Sequence, residues 1–448
     1  MRNLGFKRKK DIVKESYKFF DKSPKKRKLS REEYIYNFFS FNKAFLWNKG
    51  RTKENLRILK DRYKKYRKNW HLIPKESFIN KRGSKELKRL NLPPQCIDIE
   101  TAAVCDLACP FCFRDYIATP DKIISKELCY SIIDQAARLG VPSIKFNWRG
   151  EPLLHPNLPD FISYAKKKGI LETLINTNAT NLSEKKSMEL IDSGLDVLIY
   201  SFDGGTKETY EKMRPGRFKK NKFEHVYSNI VNFKKIREKK RSFLPFTKVQ
   251  MVVNNKNIKE QKKFFSLFKD CVDEVGVTVY QERGGEINKL PEKIRKKIIK
   301  YENSTKKKAH YIIDSNNNYK LSIGRKPCEQ PFQRLMITYD GRVGMCCVDW
   351  GATYCVGYVD ELAIKKDLKE NLNVIDNVKK NKEGYELLKN VNLPVNMNNP
   401  KKQKQSIKDI WFGEEINKVR KSHVNNISTK INVCKKCTFH DVHIWKKI

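Results

Sequence analysis

Between residues 96 and 280 the hydrophobic positions alternate between two patterns. Short apolar runs rich in β-branched residues predict buried strands, and longer runs with apolar residues three or four positions apart predict helices. The predicted strands are CIDIETAAV, SIKFNW, LETLINT, DVLIYSF, TKVQMVV and GVTVYQ. Helices are predicted between them at 126–139, 158–169, 183–194, 207–240 and 256–271. Ser125 is the expected N-cap of the first helix and Gly140 its expected end.

A strand followed by a helix, repeated along the chain, predicts parallel βα units and an α/β fold. Six strands are too few for a closed eight-fold barrel, so we predict an open, partial (β/α)6 barrel of the TIM type. In such barrels the chemistry gathers at the C-terminal ends of the strands. A functional site is therefore expected in the loops that follow the strands.

Two flanking regions depart from this alternation. Residues 1–95 predict basic amphipathic helices with many aromatic side chains, ending at a proline pair. Residues 319–448 are rich in glycine and cysteine, with a β-hairpin predicted at Asp340–Gly341 and a helix predicted over 406–423. A polar stretch at about 360–405 is predicted to be an insertion. The predicted domains are therefore a mostly helical N-terminal extension at 1–95, a barrel at 96–318 and a C-terminal domain at 319–448.

The chain of 448 residues has a formal net charge of +43. Residues 1–95 hold 30 Lys or Arg against 9 Asp or Glu, so about half of the excess lies there. Such a field favours nucleic acid or an acidic or phosphorylated substrate. The abundance of Lys, Asn and Ile also fits a composition bias from AT-rich coding, and that alternative stays open.

The sequence predicts no membrane span, because its longest apolar runs are only as long as strands. The basic N-terminus lacks the apolar stretch of a signal peptide, so we expect a cytoplasmic protein. Disulfides are not favoured in that compartment. The 12 cysteines therefore predict metal binding, redox chemistry or simple burial.

The segment CDLACPFC places three cysteines directly after the first predicted strand, at Cys105, Cys109 and Cys112. Iron–sulfur clusters are usually held by four thiolates. Three close cysteines would therefore leave one iron open to another ligand. Zinc with a distant fourth ligand is the alternative at this point.

This spacing, with Phe111 before the last cysteine, resembles the cluster motif of the radical S-adenosylmethionine superfamily. Gly150-Glu151-Pro152, after the second strand, is similar to that family's Gly-Gly-Glu-Pro motif, with Arg149 in place of its first glycine. The resemblance extends over residues 96–448 apart from the insertion. It implies an S-adenosylmethionine site formed by Phe111, Gly150, Glu151, Asn178, Ser201, Asp203 and Arg214.

Within that resemblance each polar residue has an implied role. Glu151 would accept from the methionyl amino group, and Asn178 matches a polar position common in relatives. Ser201 and Asp203 would meet the ribose hydroxyls, and Arg214 would pair with the methionyl carboxylate. The alternatives are a helix cap for Ser201, an ordinary turn for Asp203 and a solvated surface charge for Arg214.

The remaining cysteines resemble the auxiliary-cluster domain, called SPASM or, in its one-cluster form, twitch. The implied ligands of a second 4Fe–4S cluster are Cys328, Cys346, Cys434 and Cys437. Cys347 is open to interpretation as a ligand, a proton or hydrogen donor, or a buried side chain, and Cys355 as a ligand or inert. Zinc through His440 and His443 is a further alternative.

The resemblance implies reductive cleavage of S-adenosylmethionine to a 5′-deoxyadenosyl radical, which abstracts a substrate hydrogen. It also implies a reductant such as flavodoxin or ferredoxin. A net oxidation of a small polar or sugar-like substrate, assisted by the auxiliary cluster, is the favoured hypothesis. The alternatives are a peptide- or protein-modifying radical enzyme, and a nucleic-acid-binding protein whose clusters are structural. A third alternative combines the radical enzyme and the nucleic-acid-binding protein: a radical enzyme that acts on RNA and binds it through residues 1–95.

Overall fold

The fold is taken from a computed structural model, which describes most of the chain from residue 84 to 280 and several segments on either side. The described residues are 6–8, 53–79, 84–116, 119–280, 292–303, 311–313, 315, 319–321, 328–369, 400–401, 403–437 and 445–447. Several predicted features lie outside these residues. They are the helix in EEYIYNFFSFNKAFLW, most of the insertion, and the histidines His440 and His443.

The described residues form thirteen strands and fourteen α-helices, named here in chain order. The strands are β1 (Phe6–Arg8), β2 (Cys96–Ile99), β3 (Ser143–Lys145), β4 (Glu172–Thr177), β5 (Val197–Ser201), β6 (Phe246–Val253), β7 (Glu274–Val279), β8 (Tyr311–Ile313), β9 (Tyr319–Leu321), β10 (Arg334–Ile337), β11 (Arg342–Gly344), β12 (Cys355–Tyr358) and β13 (Trp445–Lys447). The helices are α1 (Lys53–Ile79), α2 (Ser84–Arg89), α3 (Lys126–Leu139), α4 (Leu158–Lys167), α5 (Glu184–Asp192), α6 (Lys207–Met213), α7 (Phe223–Lys239), α8 (Gln261–Phe268), α9 (Glu292–Asn303), α10 (Gln330–Gln333), α11 (Glu361–Lys369), α12 (Ile407–Trp411), α13 (Glu414–Val424) and α14 (Asn432–Lys436).

The central sheet has nine strands in the order β12-β11-β10-β2-β3-β4-β5-β6-β7. Strands β2 to β7 are neighbours in chain order and pair in parallel. Strands β7 and β12 lie at the two edges, so the sheet is open. The predicted α/β fold and open partial (β/α)6 barrel are confirmed.

The predicted hairpin at Asp340–Gly341 is also confirmed. Strands β10 and β11 pair antiparallel, and Gly341 adopts φ +94°, a left-handed conformation that favours glycine. Strand β10 also pairs in parallel with β2, with Arg334 opposite Cys96. The C-terminal hairpin therefore extends the barrel sheet, which was not predicted.

Two predicted helices are wrong as single elements. The stretch 207–240 divides into α6 and α7, because the segment at Pro215–Gly216 leaves the helix and packs against the cysteine loop. The stretch 406–423 divides into α12 and α13 at Gly413, where a Cβ would collide with the Asp409 carbonyl oxygen. The stretch 256–271 contains only a 3₁₀ turn and the short helix α8.

The first predicted helix is confirmed at both ends. Ser125 Oγ accepts from the Leu128 N–H at 3.1 Å, and Gly140 ends α3 at φ +80°. The main hydrophobic core lies between this helix layer and one face of the sheet. Members of this core are Ile97, Ile99, Ile132, Ile144, Phe161, Ile175, Leu190, Leu198, Ile230 and Phe264.

Helix α1 covers the other face of the sheet. Tyr63 and Tyr66 pack with Leu174, Val197 and Phe246, which alternate along their strands with residues of the main core. Part of the basic N-terminal extension is therefore integral to the barrel. The extension also contains a strand, β1, which pairs antiparallel with β13.

A buried carboxylate anchors α1 at the N-terminal end of β4. Glu172 is fully buried and accepts from Tyr63 Oη at 3.2 Å and from Tyr66 Oη at 3.0 Å. Arg62 on the same helix donates to the Gly169 carbonyl oxygen at 3.4 Å. The helix thus closes the barrel at the end opposite to the loops that follow the strands. Among the described helices, none has the length and apolar character needed to span a bilayer.

Removing both tyrosine hydroxyls is expected to destabilise this packing. In a Tyr63→Phe, Tyr66→Phe variant the buried Glu172 loses two donors, which should lower the free energy of unfolding by about 1–3 kcal/mol. Urea unfolding would measure the loss. Tyr164→Phe is the matched control, because its hydroxyl donates to Asp134 at 3.0 Å on a partly exposed surface where water can replace it. Equal losses in the two variants would contradict the anchoring role of Glu172.

Candidate functional site

The three cysteines of the first motif lie in the loop between β2 and α3. Cys109 is buried, and Cys105 and Cys112 are half-buried. Burial raises the pKa of the Cys109 thiol well above its ordinary value, Arg214 lowers it, and the neighbouring Cys112 and Cys105 raise it further. The Cys112 N–H donates to the Cys109 carbonyl oxygen at 2.9 Å. The three thiols therefore lie close together at the C-terminal end of β2.

The loop that follows β3 packs directly against this cysteine loop. Gly150 adopts φ +66°, and a Cβ there would lie 2.6 Å from the Val104 carbonyl oxygen and would also collide with that of Ala102. Glu151 N–H donates to the same Val104 oxygen at 2.8 Å. Only glycine permits this approach.

Glu151 is buried and heavily hydrogen-bonded. Its carboxylate accepts from Leu153 N–H at 3.1 Å, from Thr177 Oγ1 at 2.6 Å and from Asn178 N–H at 2.7 Å. Burial raises its pKa to about 7, and the nearby Asp106 raises it as well. Because a carboxylate has about four acceptor positions, one more donor can still be accommodated.

Asp106, between the first two cysteines, was not predicted as a site residue. It accepts from Asn178 Nδ2 at 2.7 Å, from Asn181 Nδ2 at 3.0 Å and from Thr180 Oγ1. These donors all belong to the loop after β4. The predicted polar residue Asn178 therefore holds the cysteine loop through its side chain and Glu151 through its backbone.

A third segment, after α6, holds the other side of the cysteine loop. Ala108 N–H donates to the Pro215 carbonyl oxygen at 2.9 Å, and Arg217 N–H donates to that of Asp106 at 2.8 Å. Leu107 and Gly216 form an isolated antiparallel bridge between these two bonds. The cysteine loop is therefore held by backbone as well as side-chain hydrogen bonds.

Asp203 and Arg214 lie beside this loop but are bonded to each other. Arg214 donates to Asp203 Oδ2 at 2.6 and 2.8 Å, and Val252 N–H donates to Asp203 Oδ1 at 2.5 Å. Because Arg214 is buried, its interpretation as a solvated surface charge is wrong. The helix-cap alternative for Ser201 is also wrong, since Thr206 caps α6 and Ser201 ends β5.

Phe111 connects the cysteine loop to the last strand of the barrel. Its carbonyl oxygen accepts from Tyr280 Oη at 3.1 Å. The two rings meet edge-to-face with centroids 6.3 Å apart. Tyr280 directly follows β7 and is buried. No sequence signal distinguished it from a core tyrosine.

Arg149, in place of the family's first glycine, turns toward the C-terminal domain. It pairs with Glu100 through two bonds of 2.6 and 2.9 Å, and it donates to the Trp350 carbonyl oxygen at 2.8 Å. Its guanidinium also lies over the Trp148 ring at 4.4 Å. The residue thus joins the ends of two barrel strands to the loop that follows Cys346 and Cys347.

The four cysteines of the second set come from three segments and converge. All four are buried: Cys328, Cys346, Cys434 and Cys437. Burial raises the pKa of Cys328 most, and Cys437 and Cys434 raise it further. A hydrogen bond with Cys347 and burial raise the pKa of Cys346, with added effects from Cys328 and Cys437. The Cys437 N–H donates to the Cys434 carbonyl oxygen at 3.4 Å, and one histidine, His423, contacts both Cys328 and Cys434.

The two ambiguous cysteines have different surroundings. Cys347 donates from Sγ to Gln330 Oε1 at 3.4 Å, and its carbonyl oxygen accepts from Trp148 Nε1 at 3.0 Å. It therefore lies between the second cysteine set and the barrel. Cys355 packs in a separate small cluster with Tyr358 and Ala363, which indicates a core side chain.

A buried histidine on α13 contacts this second set and was not predicted. The Cys328 N–H donates to His423 Nδ1 at 3.2 Å, and His423 Nε2 lies 3.5 Å from Cys434 Sγ. A lone histidine on a polar helical stretch has no local signal that would single it out. Only the packing of α13 against the cysteines identifies it.

The inner face of the sheet carries charged side chains near the cysteine loops. Arg334 on β10 pairs with Asp98 on β2 at 3.1 Å. Lys145 on β3 is opposite Asp98 in the strand register. Burial lowers the pKa of Lys145, which Asp98 partly restores. Among the described residues, Lys145 has neither an ion pair nor a hydrogen bond through its ammonium group.

The donor chemistry of both cysteine sets fits iron–sulfur clusters, which are held by thiolates. The first set offers one buried and two half-buried thiols in one loop, and the second offers four buried thiols. Within the residues that the structure describes, no three His, Cys, Asp or Glu side chains are arranged to hold a single metal ion. A cluster places its ligands around several irons, so its thiols do not meet at one point.

Comparison with known proteins agrees with this geometry. Residues 99–263 match the model of the radical SAM superfamily, and residues 328–383 match that of the SPASM iron–sulfur cluster-binding domain. Residues 99–263 are therefore a radical S-adenosylmethionine domain, and residues 328–383 lie in an auxiliary SPASM domain. These two domains imply an S-adenosylmethionine-binding 4Fe–4S cluster and auxiliary iron–sulfur binding.

Individual relatives match over shorter stretches. The GTP 3′,8-cyclase of Chlorobaculum tepidum is 26% identical over 151 residues, which cover 33% of this chain and 44% of that protein. The PqqA peptide cyclase of Rhizobium meliloti is 32% identical over 123 residues, covering 27% and 32%. The chain thus spans less than half the length of either relative. Streptococcus suis SuiB bound to its precursor peptide SuiA is 14% identical, with a TM-score of 0.46 and coverage of 80% and 73%.

A side chain at Gly150 is expected to disrupt the site. Gly150→Ala adds left-handed strain of about 1–2 kcal/mol and also drives a Cβ into two backbone oxygens. Gly169→Ala is the matched control, because Gly169 has φ +88° with nothing within 4 Å of the added Cβ. We expect Gly150→Ala to lower the free energy of unfolding more than the control does. We also expect it to lose the iron bound at the first cysteine set. Calorimetry and iron analysis would measure both, and equal behaviour would contradict the packing role of Gly150.

Proposed function

We propose that Cys105, Cys109 and Cys112 hold the 4Fe–4S cluster and that Glu151 binds the amino group of S-adenosylmethionine beside it. One observation carries this proposal: the cysteine loop and Glu151 belong to a single hydrogen-bonded unit at the C-terminal strand ends. Such a unit holds ligand groups in a fixed arrangement before the cofactor arrives.

The carboxylate of Glu151 suits an ammonium ligand. Three of its acceptor positions are occupied by uncharged donors, so its negative charge has no cation to compensate it. Burial and the nearby charge of Asp106 raise its pKa to about 7, and the three hydrogen bonds only partly oppose that rise. An ammonium group at the remaining position would form a charge-assisted hydrogen bond and lower this pKa.

Arg214 is the proposed partner of the methionyl carboxylate. It lies close enough to Cys109 to lower the pKa of that thiol. Binding would require Arg214 to share its guanidinium between the cofactor and Asp203, and a guanidinium has five donors for this purpose. The proposed cofactor site is completed by Ser201, Asp203, Asn178 and Phe111. In this site Asp203 orients Arg214.

Cys105, Cys109 and Cys112 would hold a cluster that, when bound, would supply the reducing electron for cleavage of S-adenosylmethionine and so for hydrogen abstraction from the substrate. The chain itself orients cofactor and substrate and excludes water. Helix α1 contributes to this exclusion by covering one end of the barrel through Tyr63 and Tyr66. A flavodoxin or ferredoxin is the proposed reductant.

The proposed ligands of a second cluster are Cys328, Cys346, Cys434 and Cys437. Four thiolates leave no open coordination position, which suits electron transfer. The hydrogen bond from Trp148 Nε1 to the Cys347 carbonyl oxygen at 3.0 Å, which joins the loop after β3 to this cysteine set, supports that role. A net oxidation, with the substrate electron passing to the auxiliary cluster, is the proposed outcome.

A small polar or sugar-like substrate with an acidic group is the proposed substrate class. Lys145 supports it, because its ammonium group on the inner sheet face forms no ion pair within the described part of the chain and is suited to an anionic group. Arg334 nearby is already neutralised by Asp98. A peptide substrate is the second candidate, favoured by the similarity to a peptide cyclase over 123 residues.

The cluster assignment is tested by cleavage of S-adenosylmethionine. Protein reconstituted anaerobically with iron and sulfide, then reduced with dithionite, should release 5′-deoxyadenosine, measured by chromatography. Cys109→Ala should abolish release, whereas Cys129→Ala should retain it, because Cys129 is a core residue of α3. A protein with purely structural clusters that binds RNA would release none in any variant.

The substrate class is tested by stimulation of that cleavage. Sugar phosphates and nucleotides, their neutral counterparts, and peptides would be compared as additives. We expect the acidic small molecules to stimulate, and Lys145→Gln to raise the concentration needed by at least about tenfold, or 1.4 kcal/mol. Lys185→Gln is the control, since its side chain is 85% exposed. Stimulation by peptides alone would favour the second candidate.

A further inference from the structure

Helix α13 presents His423 to the second cysteine set. The imidazole is buried, with 1% of its surface exposed. One ring nitrogen, Nδ1, accepts from the Cys328 backbone N–H at 3.2 Å. The other, Nε2, lies 3.5 Å from Cys434 Sγ. The ring therefore bridges two cysteines that are 106 positions apart in the sequence.

The contact at Nδ1 determines the tautomer. A ring nitrogen that accepts a hydrogen bond has its lone pair free and carries no proton. In the neutral imidazole the proton must then reside on Nε2. The Nε2–H group is the one that meets the Cys434 sulfur, so it acts as a donor to that sulfur once Cys434 is a thiolate.

The same helix brings a buried cation to this domain. Arg420 is fully buried and lies over the Trp411 ring at 3.9 Å. It donates to the carbonyl oxygens of Pro331 at 3.0 Å and Trp411 at 2.7 Å. Within the described part of the chain, no carboxylate pairs with it. Arg420 precedes His423 by three residues. It therefore adds positive charge to the helix that contacts the proposed cysteine ligands.

We propose that His423 is a positioning residue of the auxiliary cluster, which donates an Nε2–H hydrogen bond to the Cys434 thiolate and raises the reduction potential of the cluster. This role rests on the proposed assignment of Cys434 as a ligand. Reduction adds negative charge to a cluster, and a hydrogen bond to a ligand sulfur stabilises that charge. His423 therefore makes the auxiliary cluster a better electron acceptor.

This role differs from that of a metal ligand. A nitrogen ligand would have to offer a lone pair to iron, whereas Nδ1 is occupied by the Cys328 N–H and Nε2 carries the proton. Bonding to Cys328 and Cys434 together also orients the two segments that carry them. The predicted zinc alternative through His440 and His443 does not involve this residue.

The test is a redox titration of the full-length chain, reconstituted anaerobically. Replacing Cys105, Cys109 and Cys112 by Ala removes the first site, so that the electron paramagnetic resonance signal reports the auxiliary cluster alone. In this background His423→Phe removes both hydrogen bonds, whereas His423→Gln keeps an amide donor and a carbonyl acceptor. We expect a lower midpoint potential for His423→Phe and a potential near the parent for His423→Gln.

A potential that is unchanged in a fully loaded His423→Phe protein would overturn the proposal. If that variant does not fold, ¹⁵N-histidine labelling of the parent background gives a second measurement. A weak nitrogen coupling to the reduced cluster, lost in His423→Gln, supports the hydrogen bond. A strong coupling indicates direct ligation, and no coupling indicates no contact; both overturn it. Absence of any cluster in the parent background would instead overturn the assignment of the four cysteines.

Discussion

The hydrogen bonding of two carboxylates beside the first three cysteines, the buried Glu151 and the half-buried Asp106, is the constraint on which the site depends. Asp106 and Glu151 have no cation partner within hydrogen-bonding distance among the described residues, so their oxygens must be satisfied by neutral donors. Those donors come from the loop after β4, which is thereby fixed against the cysteine loop. The close approach at Gly150 fixes the loop after β3 in the same way. Three loops that are distant in sequence thus form one unit around the thiols.

The two cysteine sets are joined by continuous structure. Strand β10 of the C-terminal hairpin pairs with β2, the strand that leads into the first cysteine loop. The buried pair of Arg149 and Glu100 reaches the Trp350 carbonyl oxygen across the same boundary. Because sheet hydrogen bonds and a buried ion pair resist displacement, the separation of the two proposed clusters is fixed by the fold.

The basic side chains of α1 and the basic side chain of Lys145 have different surroundings. On α1, Tyr63 and Tyr66 face the sheet, while Lys64, Lys65 and Lys68 face solvent. Part of the basic N-terminal segment is therefore explained by an amphipathic helix that needs a polar outer face. Lys145 is different, since it lies on the inner face of the sheet opposite Asp98 and forms no ion pair among the described residues. In the proposed function its charge serves to bind a ligand rather than to keep the protein in solution.

Local sequence by itself determined the βα alternation, the cap at Ser125, the turn at Gly341 and the cysteine spacing, because each depends on side chains close together in the chain. Tertiary structure alone decided the hydrogen bonds from the loop after β4 to Asp106 and the pairing of Asp203 with Arg214. It also decided the packing of α1 and the contact of His423 with Cys434. The division of the predicted 207–240 helix belongs to the same group, since the segment that leaves it is held by the distant cysteine loop. These contacts join residues from about ten to more than a hundred positions apart. No local pattern encodes such partners, since they become neighbours only when the strands align and buried polar groups seek donors.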